Sequence, residues 1–296
     1  MNTLEQYDFH TTLTRLDDID KWLNSRGIKS HNRVRAYRRN IQDILDTQAK
    51  HEIGQFQTNL SIERARERFW SYIEADEFVR AVDALRSCFK DEVPGAPITK
   101  ALNGPADLFL ENADNNRGRN FMFELVIGGR LAAAGFHPSF DSGPDVHFEF
   151  ANLQVAVQCK RPLSTKAFEK TIGKGIAQLK ADRADLGLIA VSVSRILNAG
   201  DPNQIHEVSH PEMARGYVQD RLLEIAQQTQ RLWSGRLENA GILFYAFIPI
   251  CSSDGMYWPT RSEALFPLRP NGVTSTLLES LAKSLIASPA KQPTRG

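Results

Sequence analysis

The sequence has few cysteines, and those few are widely separated. Cys88, Cys159 and Cys251 are odd in number and form no CxxC pair. This arrangement argues against a disulfide framework and against a cysteine zinc site. We expect three reduced thiols packed in the interior.

The sequence also lacks any long apolar run. No stretch approaches the ~20 apolar residues that a bilayer span needs, and the polar start MNTLEQYDFH has no signal-peptide pattern. With 296 residues, 42% of them hydrophobic, the chain can build a substantial core. We therefore expect a cytoplasmic protein with no membrane partner.

The chain has almost no net charge, at +1, but its bases are unevenly distributed. Residues 26–39 carry six bases and no acid, and residues 160–183 carry seven bases against two acids. Each segment is typical of a solvated surface or of a nucleic-acid contact. The second segment begins beside the polar residues described below, which favours a binding role there.

The hydrophobic pattern divides the chain into three regions. Residues 1–90 show only helical periodicity, as in the stripe of Leu13, Leu16, Ile19 and Leu23. Residues 91–120 are rich in Pro, Gly and Asn and are predicted to be a linker. Residues 121–296 alternate helices with buried strands, which predicts an α/β domain with a mixed sheet flanked by helices.

A hairpin is predicted in GPDVHFEFANLQVAVQCKRP, residues 143–162. Apolar residues alternate with polar ones in both strands, and a tight reversal at Ala151 and Asn152 matches apolar with apolar across the pair. The same register places Asp145 opposite Gln158, with Lys160 two residues further on the same face.

Glu124 is an acid within the very apolar helix predicted over residues 121–136. Burial of a carboxylate is costly unless it is paired or binds a cation. An ion pair with Arg119 or Arg130, a position on the exposed edge of the helix, or a metal site would account for Glu124. Glu124, Asp145 and Gln158 together offer the oxygen ligands that suit Mg²⁺ or Mn²⁺. Lys160 would then contact a phosphate oxygen or the attacking water.

These residues resemble the PD-(D/E)xK nuclease superfamily. The resemblance rests on a helix glutamate, then GPD with Asp145, then VAVQCK ending in Lys160, followed by a basic helix and a buried strand. Family members usually carry Glu or Asp where this chain has Gln158, although Mrr-like enzymes accept Gln there. The resemblance implies a restriction-endonuclease-like fold and a Mg²⁺- or Mn²⁺-dependent endodeoxyribonuclease acting in restriction, phage defence or repair.

Several basic and amide residues are candidates for contacts with DNA because they lie near this motif or on the following helix. They are Arg117, Arg119, Arg161, Lys166, Lys170, Lys174 and Gln178. The N-terminal helices are candidates for DNA contact, homodimer formation or a protein partner. An alternative function is a catalytically inactive nuclease-fold module that binds nucleic acid or a protein. A further alternative is that the polar face of the hairpin is only solvated and has no binding role.

Overall fold

The computed structural model describes residues 9–28, 32–50, 62–93, 95–105, 111, 114–140, 145–197, 205–252, 257–269 and 272–286. Over these residues the chain is an α/β protein with eight helices and a mixed six-stranded sheet. None of the described helices is long and apolar enough to cross a membrane. The cytoplasmic location stays a prediction.

The helices and strands of the described residues have the following bounds. The helices are α1 (Phe9–Ser25), α2 (Asn32–Lys50), α3 (Ile62–Cys88), α4 (Gly95–Leu102), α5 (Arg117–Ala133), α6 (Thr165–Ala181), α7 (Ala214–Trp233) and α8 (Gly272–Ile286). The strands are β1 (Val146–Phe150), β2 (Leu153–Lys160), β3 (Leu186–Ser192), β4 (His206–Val208), β5 (Ala240–Ser252) and β6 (Tyr257–Pro267).

The sheet combines a parallel centre with antiparallel additions. Strands β2, β3 and β5 lie side by side and parallel, and β1 and β6 run antiparallel to β2 and β5. The short β4 is parallel to the last residues of β5. The carboxyl ends of the parallel strands therefore meet at one edge of the sheet, where ligand sites commonly form in α/β folds.

The register predicted for the first hairpin is confirmed. Val146 pairs with Val157, and Phe150 pairs with Leu153. Ala151 and Asn152 both adopt positive φ, at 51° and 62°, which is the backbone of the tight turns that join antiparallel strands. The hairpin therefore sets which side chains of β1 and β2 share a face. Gly143 and Pro144, which belong to the predicted motif, lie outside the described residues.

Helices cover both faces of the sheet. Helices α6 and α7 pack on one face, where Phe168, Ile172 and Val218 join a buried cluster with strand residues. Helices α5 and α8 pack on the other face, against Val155 and Val157. Both α6 and α7 precede strands parallel to their neighbours and lie on the same side, as expected for right-handed crossovers that progress in one direction.

The N-terminal helices share a core with the helix that covers the sheet. Leu16, Tyr37 and Phe78 pack in one cluster with Leu125 of α5. A Cβ on Gly129 of α5 would lie 2.4 Å from the Cα of Ala81 in α3, so this glycine allows the two helices to approach closely. The predicted linker region contains α4, which packs into the same cluster. The division at residues 90 and 120 stays a prediction.

Candidate metal and nucleic-acid site

The predicted polar residues come together where β2 ends. Asp145 directly precedes β1, and Gln158 and Lys160 occupy the last positions of β2. The antiparallel pairing of the two strands brings the start of one beside the end of the other. The hairpin therefore fixes these three residues without a contribution from any distant part of the chain.

Lys160 bridges two oxygen atoms in this cluster. Its Nζ lies 3.2 Å from Oδ2 of Asp145 and 2.8 Å from Oε1 of Gln158. The backbone N–H of Cys159 donates to the same Asp145 oxygen at 2.7 Å. Asp145 is therefore held by both a main-chain donor and an ammonium group, and charge-assisted bonds of this kind are stronger than neutral ones.

Helix α6 covers this part of β2. Gln158 is 1% exposed, so the face that carries it is enclosed even though its residues are polar. A Cβ on Gly175 of α6 would lie 3.3 Å from Cε of Lys160. The stem of the lysine thus runs against the helix backbone, and the fit depends on the small residue at 175.

The Glu124 carboxyl lies within electrostatic reach of this cluster. Burial and the neighbouring Asp145 raise the pKa of Glu124 to about 8, with Lys160 and Lys100 opposing the increase. Among the described residues no side chain donates a hydrogen bond to the Glu124 carboxyl. A neighbouring carboxylate that raises the proton affinity of Glu124 is an arrangement that a cation would relieve.

The ion pairs that could have explained Glu124 are made elsewhere. Arg130 pairs with Glu263 at 3.0 Å, and Arg119 pairs with Glu74 at 2.5 Å. Both arginines lie on the same helix as Glu124, yet each reaches a partner from another element. The alternative of a simple ion pair with Arg119 or Arg130 is therefore wrong.

The oxygen donors suit a hard divalent cation. Glu124, Asp145 and Gln158 provide two carboxyl groups and an amide oxygen, and Mg²⁺ and Mn²⁺ prefer such ligands. In the described part of the chain, no three His, Cys, Asp or Glu side chains form a group that could hold a metal ion. A cation bound at this cluster would therefore need Gln158 as its third donor. Burial raises the pKa of the Cys159 thiol well above its ordinary value, so this thiol stays protonated.

The basic helix after the hairpin presents one exposed row of polar side chains. Lys166, Lys170, Lys174 and Gln178 are all exposed. None of the four pairs with an acid among the described residues. The row is thus accessible to a nucleic-acid backbone, and the predicted contacts stay predictions.

The three arginines predicted to contact DNA have different surroundings. Arg117 is exposed. Arg161 is half-buried and pairs with Glu111 at 2.8 Å. Arg119 requires a correction, because a side chain that is 2% exposed and bound to Glu74 is not available to a DNA backbone.

Glu111 is a site neighbour that sequence reasoning missed. Its side chain is fully buried and accepts from Arg161, which follows β2, and from Arg195, which follows β3, at 2.8 and 2.7 Å. It thereby ties together the carboxyl ends of two neighbouring parallel strands. The segment ENADNNRGRN gives no local signal of that role for Glu111, because both partners are distant in sequence.

Comparisons with known proteins add nothing to this geometry: no protein-family model, no curated protein and no solved structure matches the chain.

Proposed function

We propose that the chain is a metal-dependent nuclease of the restriction-endonuclease-like fold that hydrolyses phosphodiester bonds of DNA. The observation that carries this proposal is the contact of the Lys160 ammonium with both Asp145 and Gln158 at the carboxyl end of a central parallel strand. Glu124 adds a second carboxyl group beside them. These are the residue types that phosphodiester hydrolysis with a divalent cation requires.

Glu124, Asp145 and Gln158 would hold the cation. A bound Mg²⁺ or Mn²⁺ polarises the phosphoryl group and lowers the pKa of a bound water. Lys160 then places a positive charge beside a phosphate oxygen or the attacking water, and its three donors allow it to keep one bond to Gln158. The exposed row on α6 supplies cations to the DNA backbone on the side of β2 where that lysine lies.

A second candidate function is a catalytically inactive module of the same fold. It is favoured by one observation: Oδ2 of Asp145 already accepts from Lys160 and from the backbone of Cys159, so Asp145 has partners without a cation. Such a module would bind nucleic acid or a protein partner and leave it intact.

Cation binding and cleavage separate the two functions. Calorimetric titration with Mn²⁺ should show saturable binding to the wild-type protein that Asp145→Ala abolishes. Plasmid and linear DNA should be cut with Mg²⁺ or Mn²⁺ by the wild type and by Lys283→Ala, which changes an exposed lysine on α8. Lys160→Ala should not cut but should keep the far-UV circular-dichroism spectrum of the wild type.

Gln158→Glu provides the deciding arm. If the site is a nuclease centre, a third carboxylate should tighten Mn²⁺ binding and maintain or raise cleavage. DNA binding without cleavage by either the wild type or Gln158→Glu would assign the inactive module.

A further inference from the structure

A pair of exposed cations shares one aromatic ring beside the candidate site. The Lys100 ammonium lies 5.1 Å from the centre of the Phe121 ring, and the Arg117 guanidinium carbon lies 5.6 Å from it. Both basic residues are exposed, and Phe121 is half-buried. Contacts of this length are cation–π interactions, which hold long basic side chains in a defined place.

This pair lies next to Glu124. Phe121 precedes Glu124 by three residues on α5, and residues three apart are neighbours on a helix surface. Lys100 is close enough to oppose the rise in the pKa of Glu124. A strand of nucleic acid whose phosphate approaches Glu124 and Asp145 would therefore pass the two cations.

Neither cation of this pair, Lys100 or Arg117, is held by an ion pair among the described residues. By contrast, the other two arginines of α5, Arg119 and Arg130, are both paired. Two like charges held by one ring repel each other. Phosphates bound at the two cations would offset that repulsion.

A similar aromatic residue elsewhere in the chain shows the balanced case. Trp22 also carries two cations, with Arg86 and Arg26 at 5.0 and 5.3 Å from its ring. There Arg86 bonds to Asp18 and Asp91 at 3.0 and 2.7 Å. The Phe121 pair thus differs from the Trp22 cluster because, among the described residues, no acid forms an ion pair with either of its cations.

We propose that Lys100 and Arg117, held by Phe121, each bind a backbone phosphate of the nucleic-acid strand that enters the candidate site. The proposal rests on the proposed function for the presence of that strand. Arg117 was expected to contact DNA from the sequence, but Lys100 lies in the predicted linker and Phe121 was assigned to the apolar helix. Phe121 is a positioning residue, since it acts through the two cations.

The test measures binding without cleavage. Affinity for a labelled short DNA duplex is followed by fluorescence anisotropy in EDTA, over roughly 50 to 200 mM salt. The double variant Lys100→Gln/Arg117→Gln is compared with Arg215→Gln/Lys283→Gln, which removes two exposed positive charges on α7 and α8. Those helices contribute no residue to the candidate site, so the control accounts for net charge.

Two lost phosphate contacts should reduce the slope of log affinity against log salt by about 1.8 on duplex DNA. Raising the salt across that range should therefore weaken the binding of the double variant by a factor roughly tenfold smaller than for wild type. Phe121→Leu should cause a smaller change in the same direction without changing the urea midpoint. Equal slopes for the double variant and its control would overturn the proposal.

The two proposals fail separately. Cleavage by the wild type together with a slope equal to the control would remove the phosphate site and leave the nuclease. A reduced slope in a protein that never cuts DNA would keep the phosphate site and remove the nuclease.

Discussion

Replacing Glu124 with glutamine tests the electrostatics on which the candidate site depends. The carboxyl is half-buried, and burial together with Asp145 raises its pKa to about 8. Glutamine has nearly the same shape and cannot ionise. The variant therefore removes the titration and keeps most of the packing of α5 against the sheet.

The magnitude follows from the difference between about 8 and the ordinary value of 4.5. Each pKa unit corresponds to about 1.4 kcal/mol, so the full difference is about 4 to 5 kcal/mol. The solvent that still reaches this carboxyl screens part of it, and we expect about 2 to 4 kcal/mol.

The direction follows from linkage. The folded protein holds the Glu124 proton more tightly than the unfolded chain does, so the favourable contribution of this group is complete below pH 4.5. It is lost as the pH rises through about 8. We therefore compare the free energy of unfolding of Glu124→Gln with that of wild type at two pH values. The difference in favour of the variant should be about 2 to 4 kcal/mol larger at pH 8.5 than at pH 5.

Urea denaturation followed by tryptophan fluorescence, in EDTA and at several pH values, measures this difference. Glu149→Gln is the control, because Glu149 is an exposed acid on β1 and its replacement should leave the pH dependence as in wild type. A bound cation favours the ionised carboxylate, so Mn²⁺ should stabilise the wild type more at pH 8 than at pH 6 and have little effect on Glu124→Gln. Parallel pH curves for wild type and Glu124→Gln would refute the reasoning.

Two further perturbations address the surroundings of the site. Gly175→Ala places a Cβ 3.3 Å from Cε of Lys160, so it should displace the lysine and reduce cleavage. The Cβ of Gly173→Ala meets nothing within 4 Å, so this variant should preserve cleavage and stabilise α6 by about 0.5 to 1 kcal/mol. Equal cleavage by both variants would contradict the contact. Burial raises the pKa of Glu77 to about 7, and the Tyr245 hydroxyl donates to it. Glu77→Gln keeps an acceptor for that hydroxyl. Measured by urea denaturation, the free energy of unfolding of this variant minus that of wild type should be about 3 kcal/mol larger at pH 8 than at pH 4. A difference that does not change with pH would argue against a buried, protonated Glu77.

The hairpin could be predicted because its information is local. Alternating apolar residues set the faces of β1 and β2, and the Ala151–Asn152 turn sets the register, so Asp145 and Lys160 follow from neighbours in sequence. By contrast β6 was missed, because Pro259 interrupts its pattern and lacks the N–H that a strand uses. Its pairing with β5 depends on the long partner strand.

The two arginines at the start of α5 show where local reasoning failed. Arg117 and Arg119 are two residues apart, and a helix turns about 200° over two residues. They therefore lie on nearly opposite faces, one exposed and the other facing Glu74 of α3. Burial alone would raise the pKa of Glu74, but Arg119 and Arg33 bring it below its ordinary value. The sequence gives no sign of that partner, because it lies 45 residues away.

The glutamine at 158 follows from the balance of charge around Lys160. Glu124 and Asp145 already place two carboxyl groups near this lysine, and burial together with Asp145 raises the pKa of Glu124. A third carboxyl group at position 158, which is 1% exposed, would add a buried negative charge that a bound cation would balance. Gln158→Glu should therefore lower the free energy of unfolding in EDTA by about 1 to 3 kcal/mol and recover it with Mn²⁺, measured by urea denaturation with Gln154→Glu, on the exposed part of β2, as the control. If Gln158→Glu were as stable as wild type in EDTA and gained nothing from Mn²⁺, the amide would not be the cation's third ligand.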